Sequence, residues 1–158
     1  MSLSFLEDRI SEIQPNLWIS EYIVRQYPDF LKSKGIKLVI DFTKPEQVPS
    51  APNYQEIRYV RLSIDDHELL ENRPCLIEQF FKEMEYAKES GVLLHCISGG
   101  NRSPAMAILW MMRNGMIFQD AYRKVEKTRG TDLKKIYGVN ISITHQLMDF
   151  LIRQEKTT

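Results

Sequence analysis

An unbroken apolar run that turns through a glycine-containing loop into a second apolar segment sets the tightest limit on how this chain can fold. Val92 to His95 (VLLH) reads as a buried strand, and Ser103 to Arg113, rich in Ala, Met, Ile and Leu, reads as a helix. A strand without a polar face must be covered on both sides, as strands are in a parallel sheet between helices. The same alternation recurs along the chain. Leu17 to Ser20, Lys37 to Phe42 (KLVIDF) and Glu56 to Leu62 (EIRYVRL) are further strand candidates. Tyr22 to Lys34 is helical in composition, interrupted at Pro28 and closed by Gly35. Pro74 opens a helix that carries Leu76, Ile77, Phe80, Phe81, Met84 and Ala87 on one face, and Gly91 is expected to end it. A short helix over Gln119 to Thr128 should stop at Gly130, and a last one should run from Ser142 to Gln154. Thr43 to Asn53, with Pro45, Pro49 and Pro52, reads as a surface loop. The expected fold class is therefore α/β: a central, mostly parallel sheet of about five strands with helices on both faces. With 158 residues and no repeat or linker, residues 1–158 are expected to form a single domain.

Charge excludes some classes of function. Lys plus Arg and Asp plus Glu both number 21, so the formal net charge is zero. That removes the general attraction to nucleic acid or an anionic membrane, and neither is expected as a partner. The opening MSLSFLEDRI has no signal-peptide pattern, and no apolar run is long enough to span a bilayer. The two cysteines, Cys75 and Cys96, do not make a disulfide framework. A reducing compartment is expected: the cytoplasm, with the nucleus also open.

The loop after Val92 to His95 carries the chemistry. His95 and Cys96 stand at the strand end, five residues follow, and Arg102 and Ser103 open the helix. A loop curling into a helix N-terminus gathers backbone N–H groups that lack intrahelical partners, and a phosphate fits there. Ile97, Ser98, Gly99, Gly100 and Asn101 would supply that cradle, with Gly99 and Gly100 allowing it to close tightly. Arg102 would add a planar fork for two phosphate oxygens. The same positive surroundings favour a thiolate at Cys96, the form that attacks. Ser103 could place its hydroxyl near the sulfur, and His95 could order the loop by hydrogen bonding. A departing alkoxide or phenolate also needs a proton, which Asp65 or Asp66 (LSIDDHELL) could supply.

His95-Cys96-Ile97-Ser98-Gly99-Gly100-Asn101-Arg102-Ser103 resembles the signature loop of the protein tyrosine phosphatase superfamily. The chain's size and layout resemble its small, atypical dual-specificity branch. Ile13 to Ser20 is similar to that branch's opening strand, and Gly35 to Thr43 to its next one. Asn140 and Gln146-Leu147 stand where family members carry an Asn and a Gln-Leu pair. The resemblance implies a phosphatase that is independent of metal and cofactor and forms a cysteinyl-phosphate. Its implied substrates are proteins phosphorylated on tyrosine and on serine or threonine. It favours Asp66 over Asp65 as the acid, since Asp66 precedes Cys96 by thirty residues. Asn101 departs from the branch, which commonly has Ser there. Three alternatives stay open: a phosphate-binding module with weak catalysis, a phosphatase of RNA, lipid or carbohydrate phosphates, and a sulfurtransferase-type loop that shares the Cys and the spacing.

Other residues carry plainer expectations. His67 and Glu68 are expected at the surface, and Cys75 in the first turn of a helix. Met106, Met111 and Met112 are expected in the core, and Arg123, Lys124, Lys127 and Arg129 on a solvated helix face. His67, His95 and His145 have no metal-ligand spacing.

Overall fold

A computed structural model describes residues 3–156; Met1, Ser2, Thr157 and Thr158, the ends of the expected 1–158 domain, lie outside the described residues. The expected fold class holds. One sheet contains β1 (Ile10–Gln14), β2 (Leu17–Ser20), β3 (Ile36–Asp41), β4 (Arg58–Arg61) and β5 (Gly91–His95), in the order β1-β2-β5-β3-β4. β1 runs antiparallel to β2, and the remaining pairings are parallel. β5 is thus the central strand, and all its residues are buried.

The helices are α1 (Ser4–Glu7), α2 (Pro28–Ser33), α3 (Pro74–Ala87), α4 (Arg102–Arg113), α5 (Phe118–Val125), α6 (Thr131–Tyr137) and α7 (His145–Lys156). Strand alternation divides the side chains between two cores. Leu17, Ile19, Leu38, Ile40, Val92 and Leu94 face the larger core, with Phe80 of α3, Ile108 of α4 and Leu147 of α7. Val39 and Leu93 face the smaller one, with Leu6 of α1 and Phe30 and Leu31 of α2. Each fully buried Leu, Ile or Val contributes about 1.5–3 kcal/mol, so the centre of the sheet is favourable only when both faces are covered.

The structure differs from expectation at four boundaries. The sequence similar to one opening strand forms a hairpin: β1 and β2 flank a turn at Pro15 and Asn16, and Asn16 has φ 69°. Pro followed by a positive-φ Asn suits a type II turn. Gly91 does not end α3, which stops at Ala87; it begins β5, and its N–H bonds to the Gly35 carbonyl at 3.1 Å. Gly130 does not stop a helix either. A π-helical turn (Glu126–Gly130) joins α5 to α6 without a break. Gly130 is there for close approach, because a Cβ on it would stand 2.0 Å from Asn140 Oδ1. The last helix starts at His145, leaving Ser142 to bond the Cys96 loop.

Candidate active site

β5 delivers His95 and Cys96, and the loop of residues 97–101 leads into α4 at Arg102. The carbonyls of this loop are held from outside its bend. His95 Nδ1 lies 3.1 Å from the Cys96 carbonyl. The N–H of Tyr22 donates to the Ile97 carbonyl at 3.0 Å, and that of Ser142 to the Gly100 carbonyl at 2.8 Å. Arg129 donates from Nη2 to the Ser98 carbonyl at 3.0 Å and from Nε to the Gly99 carbonyl at 3.2 Å. In a trans peptide unit, N–H and C=O point in opposite directions. Five consecutive carbonyls held outward therefore turn the amides of Ile97, Ser98, Gly99, Gly100 and Asn101 to the concave side. Among the described residues, none of these amides donates a hydrogen bond. The result is a run of five unpartnered donors along one bend, the kind of nest that cradles an anion. Gly99 sits at φ 76°, and a Cβ there would lie 2.7 Å from Arg129 Nη2 and 2.9 Å from the Ser20 carbonyl.

Cys96, which opens the loop, is only 2% exposed, with its Sγ 3.2 Å from the Oγ of fully buried Ser103. That hydroxyl can donate to a sulfur anion. Arg102 is 1% exposed. Its Nη1 donates to the Ile64 carbonyl at 3.0 Å, to Gln47 Oε1 at 3.0 Å and to the Phe42 carbonyl at 3.3 Å. These bonds fix one edge of the guanidinium. Nε is buried without a hydrogen bond, although Asp66 Oδ1 approaches it to 3.0 Å as an ion pair. Off-axis contact explains both observations, and it leaves a directed donor available for an oxygen of a bound anion.

The two acid candidates part company. Asp65 pairs with Lys44, whose hydrogen bond pulls its carboxyl below the ordinary range. Asp66 instead reaches Arg102 and accepts from Asn101 Nδ2 at its carbonyl, 3.0 Å, and at Oδ1, 3.2 Å.

A buried polar network supports the loop from behind. Asp41, at the end of β3, accepts from Arg25 Nη1 at 2.5 Å, Arg61 Nη2 at 3.0 Å and the N–H of Thr43 at 2.8 Å, and also bonds Tyr59. Burial alone would raise its carboxyl, but His95, Thr43 and Tyr59 together hold it down at about 2. Burial pushes the His95 imidazole down to about 4, so the ring is neutral at pH 7. A neutral ring beside a carbonyl acceptor carries its proton on Nδ1. Nε2 is left without a hydrogen bond, 3.8 Å from Asp41 Oδ1.

Several expectations need correction. Arg129 is not on a solvated face; it is fully buried, and also donates from Nη1 to the Arg9 carbonyl and to Ser11 Oγ, both at 3.1 Å. The π-helical turn rotates it inward, away from exposed Arg123 and Lys127. Glu68 is half-buried and pairs with Arg73 at 2.7 Å. His67 is exposed as expected, with Nδ1 3.3 Å from Gln146 Oε1. Cys75 is exposed in the first turn of α3, and both cysteines are free. Met112 packs only partly buried at the edge of the core, whereas Met106 and Met111 are fully inside. Sequence reasoning gave no role to Arg129, Gln47, Thr144 or Asp41. Only Asp41 left a trace, as an acid in the otherwise apolar run KLVIDF. Among the described residues, no group of three or more His, Cys, Asp or Glu side chains could hold a metal ion. No described helix is long and apolar enough to cross a membrane.

Residues 17–153 match the family described as dual specificity phosphatase, catalytic domain. The chain belongs to this family. Human dual specificity protein phosphatase 6 is 29% identical over 140 residues, covering 82% of this chain and 32% of that protein. The protein-tyrosine-phosphatase IBR5 of Arabidopsis thaliana is 29% identical over 126 residues, covering 78% of this chain and 46% of that protein. The chain spans about a third of the length of the human dual specificity phosphatases 6 and 9. The same fold is found in human tyrosine phosphatase-like serine/threonine/tyrosine-interacting protein, at TM-score 0.73 and 24% identity, covering 94% of this chain and 96% of that one. The matched family span contains the whole loop from His95 to Ser103, and also Asp66 and Arg129.

Proposed function

We propose that this chain is a cysteine-dependent protein phosphatase, formed as a single catalytic domain, that acts on phosphotyrosine and on phosphoserine or phosphothreonine. The observation that carries the proposal is the loop between Cys96 and Arg102. Its five amides have no hydrogen-bond partner among the described residues, the Cys96 sulfur lies beside the Ser103 hydroxyl, and the Asp66 carboxylate stands 3.0 Å from the buried Arg102 Nε. The phosphate oxygens bind the amides and Arg102. The Cys96 thiolate attacks phosphorus in line, the bond from phosphorus to the substrate oxygen breaks, and Asp66 as the acid gives that oxygen its proton. Water then attacks the cysteinyl-phosphate and passes a proton to the Asp66 carboxylate. Thiolate departs with the Ser103 hydroxyl beside it, and inorganic phosphate is released. Arg102 and the amides match the charge spread over the transferring phosphoryl oxygens, where most of the catalysis lies.

The names of the relatives support a protein substrate, and residues 97–101 contain no Lys or Arg that would favour a polyphosphorylated lipid headgroup. A thiol nucleophile also needs a reducing compartment, so the proposal includes the cytoplasm or nucleus. Replacing Cys96 by Ser should abolish hydrolysis of an aryl phosphate and of phosphopeptides while leaving a folded protein that binds inorganic phosphate. Substantial turnover by Cys96→Ser would refute the reading. Binding without turnover in the unaltered chain would point instead to a phosphate-binding module.

A further inference from the structure

Asn101 stands at the N-cap of α4, yet its side chain makes no capping hydrogen bond. An Asn at this position usually accepts from an amide of the first helical turn, and losing that bond costs about 1 kcal/mol. Here both ends of the amide are used elsewhere. Nδ2 donates to the carbonyl and to Oδ1 of Asp66, and Oδ1 accepts the N–H of Thr144 at 2.8 Å. Thr144 closes the triangle, its hydroxyl donating to the same Asp66 carbonyl at 2.5 Å. Asp66 needs such support. It lies in an irregular loop, its side chain is 54% exposed, and its carboxylate pairs with Arg102. Withholding the cap also leaves the first amides of α4 open to the anion.

We propose that Asn101, with Thr144, is the positioning residue for the general acid: it ties Asp66 to the phosphate loop and to the start of α7, so that the carboxyl stands where the substrate oxygen departs. This rests on the reading of Asp66 as that acid. The dependence on leaving group provides the test. An acidic phenol leaves without a proton, whereas a weakly acidic one requires it. The ratio of kcat/KM for para-nitrophenyl phosphate to that for phenyl phosphate therefore reports on the acid alone, while damage to the cradle lowers both values together.

Asp66→Asn should raise this ratio by roughly 100-fold, the lower end of what a positioned acid supplies. Asn101→Ala should raise it by roughly tenfold or more, and Asn101→Ala in the Asp66→Asn background should raise it no further, because both changes act through one group. Thr144→Val keeps the side chain's size, removes its hydroxyl and should shift the ratio in the same direction; it carries the test if Asn101→Ala does not fold. Equal loss on both substrates in Asn101→Ala and Thr144→Val, or full additivity with Asp66→Asn, would overturn the assignment of Asn101 alone. An unchanged ratio in Asp66→Asn would overturn Asp66 as the acid and this inference with it.

Discussion

Replacing Arg129 by methionine removes four hydrogen bonds from one buried side chain: those to the carbonyls of Ser98, Gly99 and Arg9 and to Ser11 Oγ. Hydrogen bonds to a charged group contribute about 1.5–3 kcal/mol each. The full sum is not expected, because methionine also relieves the cost of burying the guanidinium. Burial pushes that guanidinium below its ordinary range, while Cys96, Glu21 and Asp132 oppose the shift. Removing one partner of a buried charged cluster costs about 3–5 kcal/mol. For a chain of this size each kcal/mol moves Tm by about 2–4 °C, so Tm should fall by roughly 10 °C. The functional effect is separate. Once the Ser98 and Gly99 carbonyls are released, their peptide units can rotate, and the amides of Gly99 and Gly100 leave the cradle. Affinity for inorganic phosphate should then fall by roughly tenfold or more, since 1.4 kcal/mol corresponds to a factor of ten. Circular dichroism melting gives the first quantity, and calorimetric titration at a temperature where both proteins are folded gives the second. Arg129→Lys should fall between the two, keeping the charge without the planar fork. An Arg129→Met protein with unchanged Tm and unchanged phosphate affinity would refute the argument that this side chain holds the loop open to anions.

Two further outcomes follow from the supporting network and the loop backbone. His95 titrates at about 4 when folded, against 6.5 ordinarily, so the unfolded chain binds more protons between those values. Stability should therefore be full above pH 6.5 and fall as pH drops towards 4, by roughly 3 kcal/mol from this residue. Asp41, held at about 2 against an ordinary 3.8, extends the loss to lower pH. Urea unfolding at pH 7.5 and pH 5 measures the first step, and equal stabilities would exclude a neutral, buried His95. Gly99→Ala should cost about 1–2 kcal/mol for the left-handed backbone alone. More is added because the new methyl would meet Arg129 Nη2 and the Ser20 carbonyl. Loss of phosphate binding in a destabilised protein is the expected result, and wild-type binding would show that the loop does not need this conformation.

Local pattern was enough for the strand and helix alternation, the α/β class and the strand–loop–helix segment that carries Cys96 and Arg102. Cys96, the residues 97–101, Arg102 and Ser103 are contiguous, so a strand end running into a helix start already brings them together. The preference for Asp66 over Asp65 came from the resemblance to the family, and the spacing of the two acids would not have separated them. Tertiary structure decided which distant groups complete the site. Arg129, Gln47, Thr144 and Asp41 come from separate elements and reach the loop only because the sheet order puts β5 at the centre. A surface arginine and a buried one look alike in sequence, because what makes burial of a charge tolerable is the set of acceptors that the fold assembles around it. The same holds for Asn101. The sequence marked it only as a departure from the Ser common in the branch, and only the folded chain brings Asp66 and Thr144 close enough to take both ends of its amide.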